Sequence, residues 1–425
     1  MPLAHRQSIG ALAALGFAAV VVAWTIAFFI PFFTVGNKML KVGLVLTAAA
    51  VVIEVARRHR DISAHLNSAA PFVLAALALL TWLTASVLWS ADPGRSLAEL
   101  WKYPICLGIF VALATLVRKP AAVRLLVGAF VAGALITALA ALAGYSGGPV
   151  NSLPAEGRIQ GGTGDPNVLA AAMIAATALA AGLMAGTRRV WLRLALLACI
   201  AVFGLAAAGS GSRGGIIAAV VAIISALVVV RGGRRAVVGM ASFVLVAAAV
   251  QLFTSSSDAS RLTSFSDRND GRDELWRIGW EMFVDHPLVG VGLNNYVPTA
   301  PEYVLHPGSL NFIHLIVEKP VVVHNTYLQF LAETGVVGFL LFSLLVCLSL
   351  AATLRAARLA EASGDPAFGR LCRCLFVAAV ALLSAGFFIS AAVDYKLWLI
   401  LGLGPAALMA ARASAPAPGS AQPRA

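Results

Sequence analysis

The chain alternates between long apolar runs and short polar connections along most of its length. A helix that crosses the hydrocarbon core of a bilayer needs about 20 apolar residues. The runs are continuous rather than alternating, which favours helices over barrel strands. We predict an all-α polytopic membrane protein with about 12 transmembrane helices. The predicted spans are 9–30, 37–56, 69–89, 97–117, 122–144, 165–186, 190–208, 214–230, 236–254, 324–349, 371–391 and 396–412.

One long polar interval interrupts this pattern and divides the chain into four parts. They are transmembrane helices 1–9 in residues 1–254, a large periplasmic loop in residues 255–323, helices 10–12 in residues 324–412 and a disordered cytoplasmic tail in residues 413–425. Inside the loop, residues 272–283 carry apolar side chains at helical spacing, with Trp276 and Trp280 among them. This pattern predicts a short amphipathic helix at the membrane interface.

Basic residues are concentrated in every second connection between the predicted spans. They are Arg57, Arg58 and Arg60; Arg118, Lys119 and Arg124; Arg188, Arg189 and Arg193; Arg231, Arg234 and Arg235; and Arg355, Arg358, Arg370 and Arg373. The positive-inside rule places these connections in the cytoplasm. Both termini are then cytoplasmic, and the long loop lies on the outward side of the membrane.

Composition agrees with a membrane protein and excludes several other classes. Charged residues make up 12% of the chain, against about 25% in a soluble domain. The net charge of +12 follows from orientation and from attraction to anionic lipid heads, so no nucleic-acid binding is predicted. The five cysteines lie within or at the ends of apolar runs, which indicates neither a disulfide framework nor a thiolate metal site. We expect no metal and no cofactor.

Two short motifs on the outward side are candidates for binding an anion. Asp165-Pro-Asn167 is typical of a helix start, and a helix N-terminus can receive phosphate oxygens. The alternative is that this motif only begins a helix. The stretch 209–215 forms a tight connection whose glycines and serines permit an anion-binding backbone, with Arg213 in its centre. A simple turn with a snorkelling arginine is the alternative there.

Arg272 and His324 are the strongest candidates for chemistry. Arg272 stands at the N-terminal end of the predicted amphipathic helix, where it suits an anionic group of a substrate. Arg277 and Glu281 in the same helix are expected to be solvated charges. His324 opens the next span near a helix N-terminus, whose positive end disfavours the imidazolium. A neutral imidazole at pH 7 suits a general base; a hydrogen-bonded interfacial histidine is the alternative.

Two motifs follow one another in the second half of the chain. The first is Gly-Arg272 with Trp276 and His286-Pro-x-x-Gly-x-Gly-x-x-Asn-Tyr, and the second is His324-Asn-x-x-Leu-Gln-x-Leu-x-Glu-x-Gly-x-x-Gly. With the Ser-Arg213-Gly step and the many-span layout, they resemble the O-antigen ligase and O-antigen polymerase superfamily. The resemblance implies transfer of a glycan from undecaprenyl diphosphate on the periplasmic face of the bacterial inner membrane. For a ligase, the acceptor is a sugar hydroxyl of the lipid A–core oligosaccharide.

The resemblance also implies roles for particular residues. His324 would be the general base, and Arg272 and Arg213 would clamp the diphosphate of the donor, in an inverting reaction without a metal. Further candidates for substrate binding on the outward side are Arg158, Asn167, Asn325, Lys102, Asp394 and Lys396. The donor, the acceptor and membrane lipids are the expected partners, and the oligomeric state stays open.

Other functions remain as alternatives at this point. An O-antigen polymerase and a protein O-oligosaccharyltransferase carry the same motifs. The single dominant outward loop and the short stretch after the last span favour a ligase. A transporter for an anion or solute would use the outward arginines as a vestibule and His324 as a proton-coupled gate. The lack of an internal repeat and of charges inside most spans argues against a transporter.

Overall fold

The structure, a computed structural model, describes residues 59–145, 158–230, 271–304 and 321–414, and these contain helices and no β-strand. The α-helices are α1 His59–Ala85, α2 Pro93–Leu100, α3 Lys102–Leu116, α4 Pro120–Leu142, α5 Pro166–Gly186, α6 Val190–Gly209, α7 Arg213–Val229, α8 Arg272–Asp285, α9 Tyr296–Thr299, α10 Thr326–Ala362, α11 Pro366–Ala385 and α12 Tyr395–Ser414. Short 3-10 helices follow α1 at Ser86–Trp89 and α9 at Ala300–Tyr303.

Eight helical segments of the described part are long and apolar enough to cross a membrane. They are Asn67–Trp89, Pro93–Leu116, Pro120–Leu142, Pro166–Gly186, Val190–Gly209, Thr326–Ala362, Pro366–Ala385 and Tyr395–Ser414. α7, at the predicted span 214–230, is apolar but has only 17 residues. The predicted spans 9–30, 37–56 and 236–254 lie outside the described residues. The all-α membrane class is confirmed, and the count of twelve spans stays a prediction.

Two predicted spans near the C-terminus have wrong boundaries. The span predicted at 324–349 continues to Ala362, and its 37 residues give a helix of about 55 Å. Charged side chains do not stop a helix outside the bilayer, and this one ends only before Gly364, which has a φ of +83°. The span predicted at 371–391 begins and ends earlier, because Asp365 accepts a hydrogen bond from the Phe368 N–H at 2.9 Å and starts α11.

One end of the bundle, here called the basic end, joins helices through arginine side chains. Arg124 of α4 contacts the carboxylate of Asp365 at 2.7 Å. Arg370 of α11 donates to the carbonyl of Ala185 at 3.1 Å, at the end of α5. These bonds connect segments that are far apart in sequence. The predicted basic connections before α4, after α5 and before α11 therefore lie together.

The opposite end, here called the site end, holds the starts of α3, α5, α7, α10 and α12. The Ile159 N–H donates to the carbonyl of Gly209 at 3.2 Å and joins the segment before α5 to the end of α6. The Thr326 N–H donates to the carbonyl of Ile389 at 3.0 Å and joins α10 to the segment after α11. Connections that alternate with the basic ones therefore meet at this end within the described ranges, as the alternation of spans predicts.

α10 is broken at Gly335, which has a φ of +66° and a ψ of −174° inside the helix. The break frees backbone groups of α10, and a loop of residues 287–296, here called the docked loop, bonds to them. The N–H groups of Val291 and Gly292 each donate at 2.9 Å, to the carbonyls of Ala332 and Glu333 respectively. The loop therefore replaces helical hydrogen bonds that the break removes, as buried backbone groups require.

The docked loop also surrounds the buried carboxylate of Glu333. Its Oε2 accepts the N–H of Asn294 at 3.0 Å, and its Oε1 accepts the N–H of Tyr296 at 3.4 Å. A side chain at Gly335 would collide with the backbone of Leu288. Gly290 and Gly335, one from each sequence motif, are thus explained by one interface, in which the loop and the broken helix approach backbone to backbone.

Candidate active site

The starts of α5, α7, α8 and α10 make up the candidate site at the site end, and α5, α7 and α10 carry a side-chain cap. The Oδ1 atom of Asp165 accepts the N–H of Asn167 at 2.6 Å and starts α5. Ser212 Oγ accepts the N–H of Gly215 at 3.0 Å and starts α7. Asn325 Oδ1 caps α10. These starts turn positive helix ends toward one region, which favours negative charge there.

Asn167 joins the start of α5 to the connection before α7. Its Oδ1 atom accepts the hydroxyl of Ser212 at 2.7 Å and the Nη2 atom of Arg158 at 3.4 Å. Arg158 also donates from Nε to the carbonyl of Ser210 at 2.7 Å. Two predicted substrate-binding residues therefore hold this connection in place. Within the described residues the Nδ2 atom of Asn167 has no hydrogen-bond partner, so it can donate to a ligand.

The connection between α6 and α7 is shorter than expected. Gly214 and Gly215 belong to the first turn of α7 rather than to the turn before it. A Cβ atom at Gly215 would lie 2.7 Å from the Cβ of Ala170, and one at Gly214 would lie 2.8 Å from the Cβ of Phe388. The glycines therefore permit close packing of α7. Arg213, the first residue of α7, is exposed at the site end.

A chain of aromatic contacts links the start of α7 to His324. The ring of Phe388, which packs on Gly214, lies 6.3 Å from the ring of Trp276 between centroids. Trp276 donates from Nε1 to the carbonyl of Val323 at 3.1 Å, directly before His324. Trp276 is half-buried and its indole bonds inside the protein, and its expected position at the membrane interface stays a prediction. Trp280, with an exposed fraction of 54%, fits that expectation.

His324 lies close enough to Arg272 and Asp165 for their charges to act on its imidazole. Burial lowers the pKa of the His324 imidazole from its ordinary value of 6.5, and the positive charge of Arg272 lowers it further. The negative charge of Asp165 acts in the opposite direction. The backbone of His324 is left-handed, with a φ of +51°. Non-glycine residues rarely adopt this conformation, and those that do are found often at functional sites. The imidazole is therefore neutral at pH 7, and the backbone that carries it is strained.

The two arginines of α8 differ in their surroundings. Arg277 forms ion pairs with Glu274 and, at 2.7 Å, with Glu281, so the expectation that these charges are merely solvated is wrong. Their spacing of three and four positions on a helix explains the pairs. Across the part of the chain that the structure describes, Arg272 forms no hydrogen bond or ion pair. Its charge is available to an anion beside His324.

The remaining predicted substrate-binding residues form a second polar group. Lys102 pairs with Glu99 at 2.7 Å, and Lys396 pairs with Asp394 at 2.9 Å. α3 and α12 run in the same direction along the bundle. They pack closely at Gly402, where a Cβ atom would lie 3.0 Å from the Cα of Phe110. Their starts, with both lysines, therefore lie side by side at the site end. Each lysine already has a carboxylate partner, unlike Arg272, and their substrate-binding role stays a prediction.

An apolar cleft begins below Arg213 and continues toward the basic end. α6 and α7 are joined by only three residues, yet each packs mainly on other helices, such as α5 and α11, rather than on the other. The space between them is lined by small and apolar side chains, including Ala178, Ala207, Ala219 and Ala222. Ala219 lies six positions after Arg213, which is about 9 Å along the helix. None of the described site residues lines the cleft, so a molecule bound at Arg213 reaches the cleft only across this distance.

The comparisons with known proteins agree with the motifs. Residues 194–343 match a family model described as O-Antigen ligase. No curated protein matches the chain. The matched range includes Arg213, Arg272, His324 and Asn325, together with the docked loop and the break in α10. The resemblance expected from the sequence is confirmed over residues 194–343, the part of the chain that is similar to the O-antigen ligase family model.

Proposed function

We propose that this protein is an O-antigen ligase that transfers a glycan from undecaprenyl diphosphate to a sugar hydroxyl of the lipid A–core oligosaccharide. The observation that carries the proposal is the position of Arg272, which has no carboxylate partner among the described residues, beside the neutral imidazole of His324. One group suits an anionic leaving group and the other suits proton removal from a hydroxyl. The basic end faces the cytoplasm by the positive-inside rule, so the site faces the periplasm of the bacterial inner membrane.

The donor's diphosphate binds to cationic and N–H groups at the four helix starts. Arginine guanidinium groups bind phosphate oxygens through two parallel hydrogen bonds, and Arg272 and Arg213 supply them. The Nδ2 atom of Asn167 and the positive helix ends add donors. The same contacts stabilise the charge that develops on the diphosphate as it leaves.

His324 acts on the acceptor in the transfer step. A nitrogen of its imidazole takes the proton from the acceptor hydroxyl while the hydroxyl oxygen attacks the anomeric carbon of the donor sugar. The bond between that carbon and the phosphate oxygen breaks, and undecaprenyl diphosphate leaves with the bonding electron pair. Attack from the side opposite the leaving group inverts the anomeric carbon. A general base of this kind contributes about 10²–10⁴ in rate.

The cleft below Arg213 supports a donor with a lipid tail. A polyisoprenyl chain has no polar group along its length, and the cleft between α6 and α7 is lined almost entirely by apolar atoms. A diphosphate at Arg213 would allow the attached chain to enter the cleft and remain in the apolar interior. A water-soluble donor would leave this surface unused.

Reconstitution with defined substrates tests the proposal. The purified protein in lipid vesicles receives a glycan linked to undecaprenyl diphosphate and a lipid A–core acceptor, without ATP. We expect glycan-bearing lipid A–core with the wild type and almost none with His324→Gln. A longer lipid-linked glycan would instead indicate a polymerase, and glycan on an added acceptor peptide would indicate an oligosaccharyltransferase. Solute flux without any glycan product would indicate a transporter and would overturn the proposal.

A further inference from the structure

A second cavity lies at the basic end, far from His324. It has a volume of about 610 Å³ and is enclosed by α4, α5, α6 and the start of α11. Ligand pockets in proteins have volumes of about 300–1,000 Å³. None of the residues proposed for glycan transfer lines this cavity, so it needs a separate explanation.

The wall of the cavity is apolar over most of its depth. Side chains of α4, α5 and α6 supply it, including Leu125, Leu135, Leu183, Leu192 and Leu196. A Cβ atom at Gly128, in the α4 wall, would meet no atom within 4 Å. The space in front of Gly128 is therefore open and bounded by hydrocarbon, which suits an acyl chain rather than a polar ligand.

The rim of the cavity is basic. Thr187, which lines the cavity, is followed directly by Arg188 and Arg189, and both side chains are exposed. Arg124 also lines the cavity, but its charge is compensated by Asp365 at 2.7 Å. Within the described residues no carboxylate lines the wall. The positive charge of the rim is therefore open to an anion at the mouth.

The connection between α5 and α6 is held at the level expected for a lipid headgroup. Arg193 donates from Nε to the carbonyl of Thr187 at 2.8 Å and closes the connection into a compact turn. Trp191, between the rim arginines and Arg193, has an exposed fraction of 63%. Exposed tryptophans at the end of a membrane helix lie at the headgroup level. This position of Trp191 is what is expected if the rim and the mouth of the cavity lie at the level of the lipid phosphates.

We propose that this cavity binds one anionic phospholipid, with an acyl chain against Gly128 and the headgroup phosphate at Arg188 and Arg189. Basic pockets between membrane helices bind anionic headgroups in this way. A free phosphate ion would use the rim and leave the apolar wall empty. A neutral lipid would use the wall and gain nothing from the arginines. The combination of the two surfaces favours an anionic lipid, independently of the function proposed for the site end.

Lipid titration of the full-length protein in detergent tests the charge part of the proposal. Phosphatidylglycerol and phosphatidylcholine with identical acyl chains are added separately, and bound lipid is counted by native mass spectrometry. We expect the wild type to prefer phosphatidylglycerol. Each arginine near an anionic headgroup is worth about a fivefold change in affinity, so Arg188→Gln/Arg189→Gln is expected to reduce the preference roughly 25-fold.

A matched double variant serves as the control for total charge. Arg355 and Arg358 are exposed on α10 at the same end of the bundle and do not line the cavity. Arg355→Gln/Arg358→Gln removes the same charge and is expected to leave the lipid preference unchanged. An equal loss in both double variants would show general attraction to the basic end and would overturn the site.

A filling variant tests the acyl part. Gly128→Leu places a side chain in the open space without clashing with the protein. It is expected to abolish retention of the lipid, because the leucine occupies the position of the acyl chain. Gly108→Leu is the control, because Gly108 on α3 is exposed and a Cβ atom there also meets nothing within 4 Å. Equal binding of the two lipids to the wild type, or full retention of phosphatidylglycerol by Gly128→Leu, would overturn the proposal.

Discussion

Arg272 acts on His324 across the gap between α8 and α10, and its positive charge lowers the pKa of the imidazole. Burial is the larger cause of the lowered pKa, and the charge of Asp165 opposes both. The same guanidinium pairs with no carboxylate in the ranges that the structure covers, so one residue can act on both the proton acceptor and the leaving group. Substitutions of these charges are expected to change the pH dependence of transfer as well as its rate.

The first prediction concerns removal of the positive charge with Arg272→Gln. The wild-type base works in its neutral form, so the transfer rate is expected to fall only at pH values below the ordinary histidine pKa of 6.5. Without the charge of Arg272 the pKa of His324 rises, and the acid limb moves to higher pH. Initial transfer rates between pH 5 and pH 8 measure this. Arg277→Gln, which removes a charge already paired with two glutamates, is the control and is expected to leave the limb in place.

The second prediction has the opposite sign and concerns Asp165→Asn. The negative charge of Asp165 raises the pKa of His324, so its removal is expected to move the acid limb to lower pH. Asparagine is as good an N-cap as aspartate, so the start of α5 is retained. The same rate profile measures the change. If the acid limb of the pH–rate profile moved in the same direction for Arg272→Gln and Asp165→Asn, the electrostatic explanation would be contradicted.

The third prediction separates the charge of Arg272 from its shape. Lysine keeps the charge and loses the planar fork that binds two phosphate oxygens, whereas alanine loses both. A hydrogen bond to a charged group contributes about 1.5–3 kcal/mol. We expect the apparent KM for the lipid-linked donor to rise roughly tenfold in Arg272→Lys and further in Arg272→Ala. Equal effects of the two variants would exclude a bidentate clamp. Arg277→Lys is the matched control on the same helix.

The fourth prediction uses the left-handed backbone of His324. Glycine adopts a φ of +51° freely, whereas alanine in this region costs about 1 kcal/mol. We expect His324→Gly and His324→Ala to lose transfer equally, by about 10²–10⁴, with the glycine variant unfolding at the higher temperature. Thermal unfolding in detergent, followed by tryptophan fluorescence, provides the comparison. A glycine variant that is less stable than the alanine variant would show that the backbone is not strained.

The fifth prediction tests the interface between α10 and the docked loop with Gly335→Ala. A Cβ atom there would collide with the backbone of Leu288, whereas one at Gly364, which also has a positive φ, would meet no atom within 4 Å. Gly364→Ala therefore reports the backbone cost alone, about 1 kcal/mol. We expect Gly335→Ala to lower the unfolding temperature clearly more than Gly364→Ala. Similar losses would mean that the loop moves aside without cost.

Local signals in the sequence predict much of the framework. Apolar length predicts the described spans, and the capping residue Asp165 predicts the start of α5. Asn325 caps α10, although substrate binding is the only role expected for it from the sequence. The pairing of Arg277 with Glu274 and Glu281 follows from spacing that is visible in the sequence. From the sequence, Arg277 and Glu281 are nevertheless expected to be solvated charges. These features depend on residues within a few positions of one another.

Features that depend on distant residues could not be predicted. A glycine inside an apolar run is common in membrane helices, so nothing at Gly335 itself indicates a break. The acceptors that the break exposes are used by Val291 and Gly292, about forty positions earlier in the chain. Phe388 likewise belongs to no motif, yet its ring packs between Gly214 and Trp276. Only the packing of helices identifies it as part of the site.

The break in α10 also affects the biogenesis of the protein. The docked loop leaves the ribosome before α10 does, so the N–H groups of Val291 and Gly292 have no carbonyl to bond until residues 332–336 are synthesised and inserted. Glu333 has the complementary requirement, since a carboxylate in the membrane needs those loop donors. Loop and helix therefore mature together in one late step, and a nascent chain that stops before Val336 lacks the groups needed to complete the site.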